Sequence, residues 1–224
     1  MLEREIEQKL KDGGAALVGF CEIDESPIKG QGNLKYAVSI AYKLSDAVLK
    51  TIEDRPSIMY FQHYRAVNAR LDQLSLDVVK MIEDEGYNAF PIAASQSTND
   101  DKSAYRGVFS HKKAAVLSGI GYIGKSCLLL TKEYGSKVRF ATVLTDMQLI
   151  SQRQKITGGC GSCTVCRDNC PAGAISGIEY AEGMSRDDFF DAAKCSDHMK
   201  SYKDIGRGAV CGICIKVCPK NKLR

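Results

Sequence analysis

A chain of 224 residues is long enough for one ordinary domain with a small attached module. With 44% hydrophobic and 26% charged residues it can bury a core without cross-links, and a net charge of +4 is too mild to imply nucleic acid by itself. The opening, Met1-Leu2-Glu3-Arg4-Glu5-Ile6-Glu7, has no apolar signal-peptide core, and no stretch approaches the ~20 apolar residues of a membrane helix. A cytoplasmic location is therefore expected.

Leu2, Ile6 and Leu10 repeat at helical spacing and stop at Gly13-Gly14. Residues 15–23 and 34–44 read as strands, joined by a loop around Gly30 and Gly32. The clearest helix covers 57–85, with Phe61, Tyr64, Leu71, Leu74, Val78 and Met81 on one stripe and Gly86 at its end. Residues 87–94 read as a further strand, followed by a polar loop over 95–103. Ser110 is placed to cap a short helix that ends at Gly119. Strands over 127–131 and 138–144 flank a turn at Tyr134-Gly135-Ser136. Strands and helices without regular alternation predict an α+β domain over residues 1–150. A polar linker from Ser151 to Gly159 then leads into a second module, giving it the span 151–224.

That module holds eight of the ten cysteines. Without an export signal, metal is a better reading of them than disulfides, because the cytosol keeps thiols reduced. Cys160, Cys163, Cys166, Cys170 and Pro171 reproduce C-x₂-C-x₂-C-x₃-C-P, the spacing of bacterial two-cluster ferredoxins. Three thiolates two residues apart can wrap three corners of one cubane, while the fourth is carried off to a neighbouring cluster. Cys211, Cys214, Cys218 and Pro219 form the second run, with Val217 where another cysteine would stand. Cys195, sixteen residues upstream of Cys211, can supply the missing ligand from a loop. The expected ligands are Cys160, Cys163, Cys166 and Cys218 for one 4Fe–4S cluster, and Cys170, Cys195, Cys211 and Cys214 for the other. Paired C-x₂-C also makes zinc ribbons, but zinc gives no reason for a proline after both outlying cysteines. The module is thus read as ferredoxin-like, and Cys21 and Cys127, in apolar contexts, as core.

Residues 119–126, Gly-Ile-Gly-Tyr-Ile-Gly-Lys-Ser, satisfy both the dinucleotide and the P-loop signatures. Both signatures need a strand before the loop and a helix after it. Here a short helix precedes, and Tyr134-Gly135 soon interrupts the segment beyond the loop, so nucleotide binding is not expected. A structural glycine turn remains open. The favoured reading is a loop whose backbone approaches a large planar or anionic cofactor.

The segments 111–130 and 133–146, with the cysteine set, resemble epoxyqueuosine reductase and, more distantly, the corrinoid reductive dehalogenases. The resemblance covers roughly residues 57–222. It implies a nitroreductase-like α+β domain holding base-off cobalamin beside the clusters. In that scheme an external low-potential donor such as ferredoxin or flavodoxin supplies electrons, and cob(I)alamin reduces the substrate. By the same analogy Gly121, Tyr122, Ile123, Gly124, Lys125 and Ser126, with Tyr134, Gly135, Ser136 and Val138, line the corrinoid.

The chain departs from the tRNA-modifying members in two ways. Where they carry an Asp-Ser-Ala-Pro-like segment whose Asp donates a proton, it has Phe90-Pro91-Ile92-Ala93-Ala94-Ser95. Tyr105 and His111 are then the candidate catalytic proton donors, with Asp100 and Asp101 as further substitutes, against loop solvation or helix capping for each. The sequence also stops at Arg224, where those members continue into a helical-repeat domain. The expectation is a corrinoid- and iron–sulfur-dependent reductase acting on an unknown, small-molecule substrate rather than on tRNA. The alternative is a ferredoxin-like electron-transfer protein serving a separate corrinoid protein or enzyme. A flavin in place of the corrinoid is a third reading.

Overall fold

A computed structural model describes residues 2–28, 30, 32–98, 105–150, 153–206 and 210–221. Helix α1 (Leu2–Asp12) forms where Ile6 and Leu10 fall on one face, and both are fully buried. Strands β1 (Leu17–Glu22) and β2 (Tyr36–Lys43) pair antiparallel, Leu17 opposite Ala41 and Glu22 opposite Tyr36. Helix α2 (Asp46–Lys50) has no counterpart in the sequence reading; the Ser45 hydroxyl caps it by accepting from the Val48 amide.

Helix α3 (Ile58–Asp84) buries Tyr60, Phe61, Val67, Leu71, Leu74, Val78 and Ile82. The buried stripe thus ends on Ile82, with the predicted Met81 and Tyr64 only half-buried. Strand β3 (Ala89–Ile92) pairs antiparallel with β6 (Val138–Thr145), in a sheet ordered β1-β2-β6-β3. Pro91 lies in β3, an edge strand, where its missing N–H costs no inner ladder bond. Helix α4 (His111–Leu117) begins on Ser110, whose hydroxyl accepts from the Lys113 amide as the sequence suggests. Strands β4 (Gly121–Ile123) and β5 (Leu129–Thr131) make a separate two-stranded sheet. Short helices α5 (Val165–Asp168), α6 (Ala192–Lys200) and α7 (Ile213–Lys216) carry the cysteine region.

The chain groups into two compact units that interleave along the sequence. One takes residues 1–43, 67–121 and 139–156; the other takes 44–66, 122–138 and 157–224. A single boundary at 150/151 divides the chain differently, because segments 44–66 and 122–138 group with the cysteine region. In the first unit Cys21, Ile23, Leu34, Ala37, Ile92, Ala114 and Leu144 form one buried cluster. Cys21 is a core residue there: its thiol donates to the Ala114 carbonyl, and burial pushes its pKa up to about 12. Among the described residues, no helix is long and apolar enough to cross a membrane.

Candidate iron–sulfur site

None of the ten cysteines is in a disulfide, and the seven of the two runs, together with Cys195, lie in the second unit. Their electrostatics sort them. Burial raises the Cys166 thiol pKa, and the thiols that raise it further are Cys160, Cys218 and Cys163. Burial likewise raises Cys218, with Cys160 and Cys163 adding to it. In the other set, burial pushes Cys195 up to about 11, and Cys211 and Cys170 add to the shift. Cys214 is raised by burial, then by Cys211, Cys195 and Cys170; Cys166 also reaches it, so the two sets adjoin. Cys160, Cys163, Cys166 and Cys218 thus lie within electrostatic reach of one another, as do Cys170, Cys195, Cys211 and Cys214. Among the described residues, no three Cys, His, Asp or Glu side chains converge as ligands of a single metal ion would. The metal ligand is the thiolate, so the protons these thiols carry would leave as iron binds.

The glycine-rich loop turns out to be a wall of this site. Gly124 accepts from the Cys127 amide and donates to the Leu128 carbonyl, both at 2.9 Å, closing a three-residue hairpin loop between β4 and β5. Cys127 occupies its left-handed position at φ +59, the conformation that ends such loops. The predicted strand over 127–131 therefore starts only at Leu129. A hairpin strand, not a helix, comes after the Gly-Lys-Ser sequence, so it is neither a P-loop nor a dinucleotide turn.

A Cβ built on Gly124 would lie 2.5 Å from Leu130 and 3.3 Å from the Cys160 sulfur, so the loop backbone abuts the first thiol. Lys125 is buried, and its Nζ donates to the carbonyls of Gly161 (2.5 Å) and Cys163 (3.3 Å). A Cβ on Gly158 would lie 2.5 Å from the Tyr122 ring, so that ring lies against the backbone leading into the first cysteine. The Glu179 carboxylate accepts from the amides of Cys160 (2.6 Å) and Gly161 (3.0 Å).

The turn after β5 serves the last thiol in the same way. Buried Asn221 accepts from the Ser136 amide (2.7 Å) and hydroxyl (3.0 Å), and its Nδ2 donates to the Ile215 carbonyl. The Ser136 hydroxyl also reaches the Cys218 thiol and lowers its pKa against the effect of burial. Lys137, nearly enclosed, pairs with Asp46 of α2 at 2.6 Å. Both segments expected to line a corrinoid are thus engaged with the Cys160–Cys166 run or with Cys218. Gly121, Gly124, Lys125, Ser126, Gly135, Ser136 and Val138 are buried, whereas Tyr122, Ile123 and Tyr134 keep partly exposed apolar and aromatic surface.

The expected proton donors lie in the first unit. His111, first residue of α4, gives its Nε2–H to the Ala93 carbonyl (3.0 Å) and accepts at Nδ1 from the Thr142 hydroxyl (2.8 Å). Burial holds its pKa down at about 4, so the ring is neutral at pH 7. Tyr105 is exposed, with the backbone left-handed at φ +61. Asp100 and Asp101 lie outside the described residues. Glu179 and Asn221 had no signal in the sequence: one carboxylate and one amide acquire roles only when the fold brings them to the cysteine runs. Cys127 comes within electrostatic reach of Cys195, which links it to the second set more closely than a core reading implies.

Comparison with known proteins agrees with this chemistry. Residues 159–221 match the family described as 4Fe-4S double cluster binding domain. The epoxyqueuosine reductase of Lactococcus garvieae (strain Lg2) is 28% identical over 163 residues, which is 71% of this chain and 42% of that protein. That of Bacillus anthracis is 34% identical over 126 residues, 52% of this chain and 30% of that protein. A tetrachloroethene reductive dehalogenase of Dehalobacter restrictus is 32% identical over 120 residues, 49% of this chain and 22% of that protein. The chain thus spans less than half the length of these curated relatives.

Among solved structures, a catabolic reductive dehalogenase in complex with 3-bromo-4-hydroxybenzoic acid aligns with TM-score 0.76 at 20% identity, over 97% of this chain and 31% of that one. A reductive dehalogenase whose structure suggests a mechanism for B12-dependent dehalogenation gives 0.73 at 21%, over 97% and 31%. An epoxyqueuosine reductase with an epoxyqueuosine-modified tyrosine tRNA stem loop gives 0.61 at 21%, over 99% and 65%.

Proposed function

We propose, for a chain homologous to epoxyqueuosine reductases and more distantly to reductive dehalogenases, an iron–sulfur reductase that relays low-potential electrons to a bound corrinoid. What supports the reading is the mutual electrostatic reach of these thiols, beside a loop and a turn that leave aromatic and apolar surface partly exposed. Cys160, Cys163, Cys166 and Cys218 would hold one 4Fe–4S cluster, and Cys170, Cys195, Cys211 and Cys214 the other. Tyr122, Ile123 and Tyr134 would pack on the corrinoid, with Gly121, Gly124, Lys125, Ser126, Gly135, Ser136 and Val138 shaping the surface beneath them. When bound, the corrinoid supplies a cobalt centre able to take electrons to very low potential. The likeness to a B12-dependent dehalogenase structure supports this cofactor, and a nitroreductase-like description of the α+β body goes with it.

The electron donor is an external low-potential protein such as a ferredoxin or flavodoxin. Tyr105, an exposed residue, and His111, whose Nε2–H goes to the Ala93 carbonyl, are the two proposed proton donors. The substrate proposed is a small electrophilic molecule. Epoxyqueuosine-bearing tRNA, the ligand of one relative's structure, is the alternative, and turnover with such a stem loop separates the two.

The cofactor set is tested by mixing anaerobically reconstituted protein with hydroxocobalamin, desalting it, and counting bound iron and cobalt. About eight irons with about one cobalt per chain supports the proposal. The same iron without cobalt points instead to an electron carrier that serves a separate corrinoid protein or enzyme.

A further inference from the structure

Two oppositely charged side chains grip the same four-residue stretch, 160–163, through its backbone. Lys125 donates to the carbonyls of Gly161 and Cys163; the Glu179 carboxylate takes the amides of Cys160 and Gly161. The fit is tight on both sides. A Cβ on Gly159 would lie 2.8 Å from Glu179 Oε1, and one on Gly124, beside Lys125, 3.3 Å from the Cys160 sulfur. Lys125 is 7% exposed, so water screens its charge weakly.

We infer that Lys125 and Glu179 are positioning residues that set the reduction potential of the Cys160/Cys163/Cys166/Cys218 cluster in opposite senses, an inference that rests on the double-cluster reading. On reduction the cluster takes one electron from the external low-potential donor and gains one negative charge. The lysine charge favours that state and the carboxylate opposes it. Glu179 acts a second time by occupying two backbone N–H groups that could otherwise donate to cluster or cysteine sulfur, bonds that raise potential. Lys125 does the converse by neutralising carbonyl dipoles next to the thiolates. The glycine-loop lysine, expected from the resemblance to line a corrinoid, thereby acquires an electronic role, and so does a glutamate sixteen residues beyond Cys163 that carries no motif at all.

The test is a potentiometric titration followed by electron paramagnetic resonance on reconstituted wild type, Lys125→Met, Lys125→Arg and Glu179→Gln, with iron counted in each. Glu179→Gln is expected to raise the reduced-to-oxidised ratio of one cluster about tenfold at a fixed potential, an upward shift of about 59 mV for a one-electron couple. Lys125→Met is expected to lower it by a similar factor, Lys125→Arg to stay near wild type, and the other cluster to keep its potential in all three. A merely structural role would move both neutralising variants alike, through lost iron or broadened signals. Should Lys125→Met fail to hold iron, Glu179→Gln decides alone: an upward shift supports the inference. Unchanged potentials with full iron, or shifts of the same sign, overturn it while leaving the two clusters standing. A wild type holding well under about eight irons would instead sink the double-cluster reading, and this inference with it.

Discussion

Replacing Asn221 with Ala tests whether the 134–138 turn is held by the cysteine module as the hydrogen bonds imply. The substitution removes the acceptor of the Ser136 amide and hydroxyl and the donor to Ile215. Ile215 keeps a partner, since its carbonyl also accepts from the Cys218 amide at 3.2 Å. The Ser136 hydroxyl can still turn to Cys218, so the strict orphan is the buried Ser136 amide, which costs about 1–3 kcal/mol. Adding about 1 kcal/mol for the lost hydroxyl bond gives an expected destabilisation of about 2–4 kcal/mol. For a chain of this length that lowers the unfolding midpoint by roughly 5–15 °C. Ser136→Ala removes the hydroxyl alone and is expected to cost about 1 kcal/mol. Urea unfolding monitored by circular dichroism gives both values, and iron counts show whether the Cys218 cluster survives. An Asn221→Ala protein within about 0.5 kcal/mol of wild type, the range of an ordinary surface substitution, would refute the tether.

Cys195→Ser should halve bound iron to about four per chain, whereas Cys127→Ala should leave about eight, as iron analysis after reconstitution would reveal. Gly124→Ala forces a methyl group against Leu130 and the Cys160 sulfur, and should cost about 1–3 kcal/mol along with iron from the first cluster. His111 has a folded pKa of about 4, below its unfolded value of about 6.5, so the unfolded chain binds the extra proton between those limits. Stability should be full above about pH 6.5 and fall as the pH drops towards 4, and His111→Gln should flatten that slope in denaturant titrations run at several pH values. With an active preparation in hand, Tyr105→Phe should slow turnover by about 10²-fold or more at unchanged iron content, and an unchanged rate would remove Tyr105 as donor.

What the sequence made legible was the part governed by local spacing. C-x₂-C repeats name their own chemistry because ligands two residues apart must face one centre, and helix α3 declares itself by a buried stripe at helical period. The Ser110 cap and the Gly86 terminus, at φ +85, come from one-residue backbone rules. Helix α2 escaped notice because five residues carry too little periodicity to register. The reach of the stripe to Ile82 rather than Met81 is settled by neighbours, not by hydrophobicity.

The glycine loop is the instructive case. Glycine where the backbone must come close to something was a sound inference, but the sequence could not say what it comes close to. The answer nearest at hand is protein: the Gly124 backbone lies against the Cys160 thiol, and the lysine after it reaches two carbonyls of the cysteine run. Three segments far apart in the chain (122–138, 160–166 and 218–221) therefore meet around the thiols proposed for one cluster. A cofactor packed on Tyr122 and Tyr134 would meet a surface whose underside is already built around iron. On the proposed reading, the residues that would shape such a pocket and those that would fix the nearest cluster belong to the same stretch of chain. On that reading, mutations there would perturb both at once, so iron content is the control in every variant made to probe corrinoid binding.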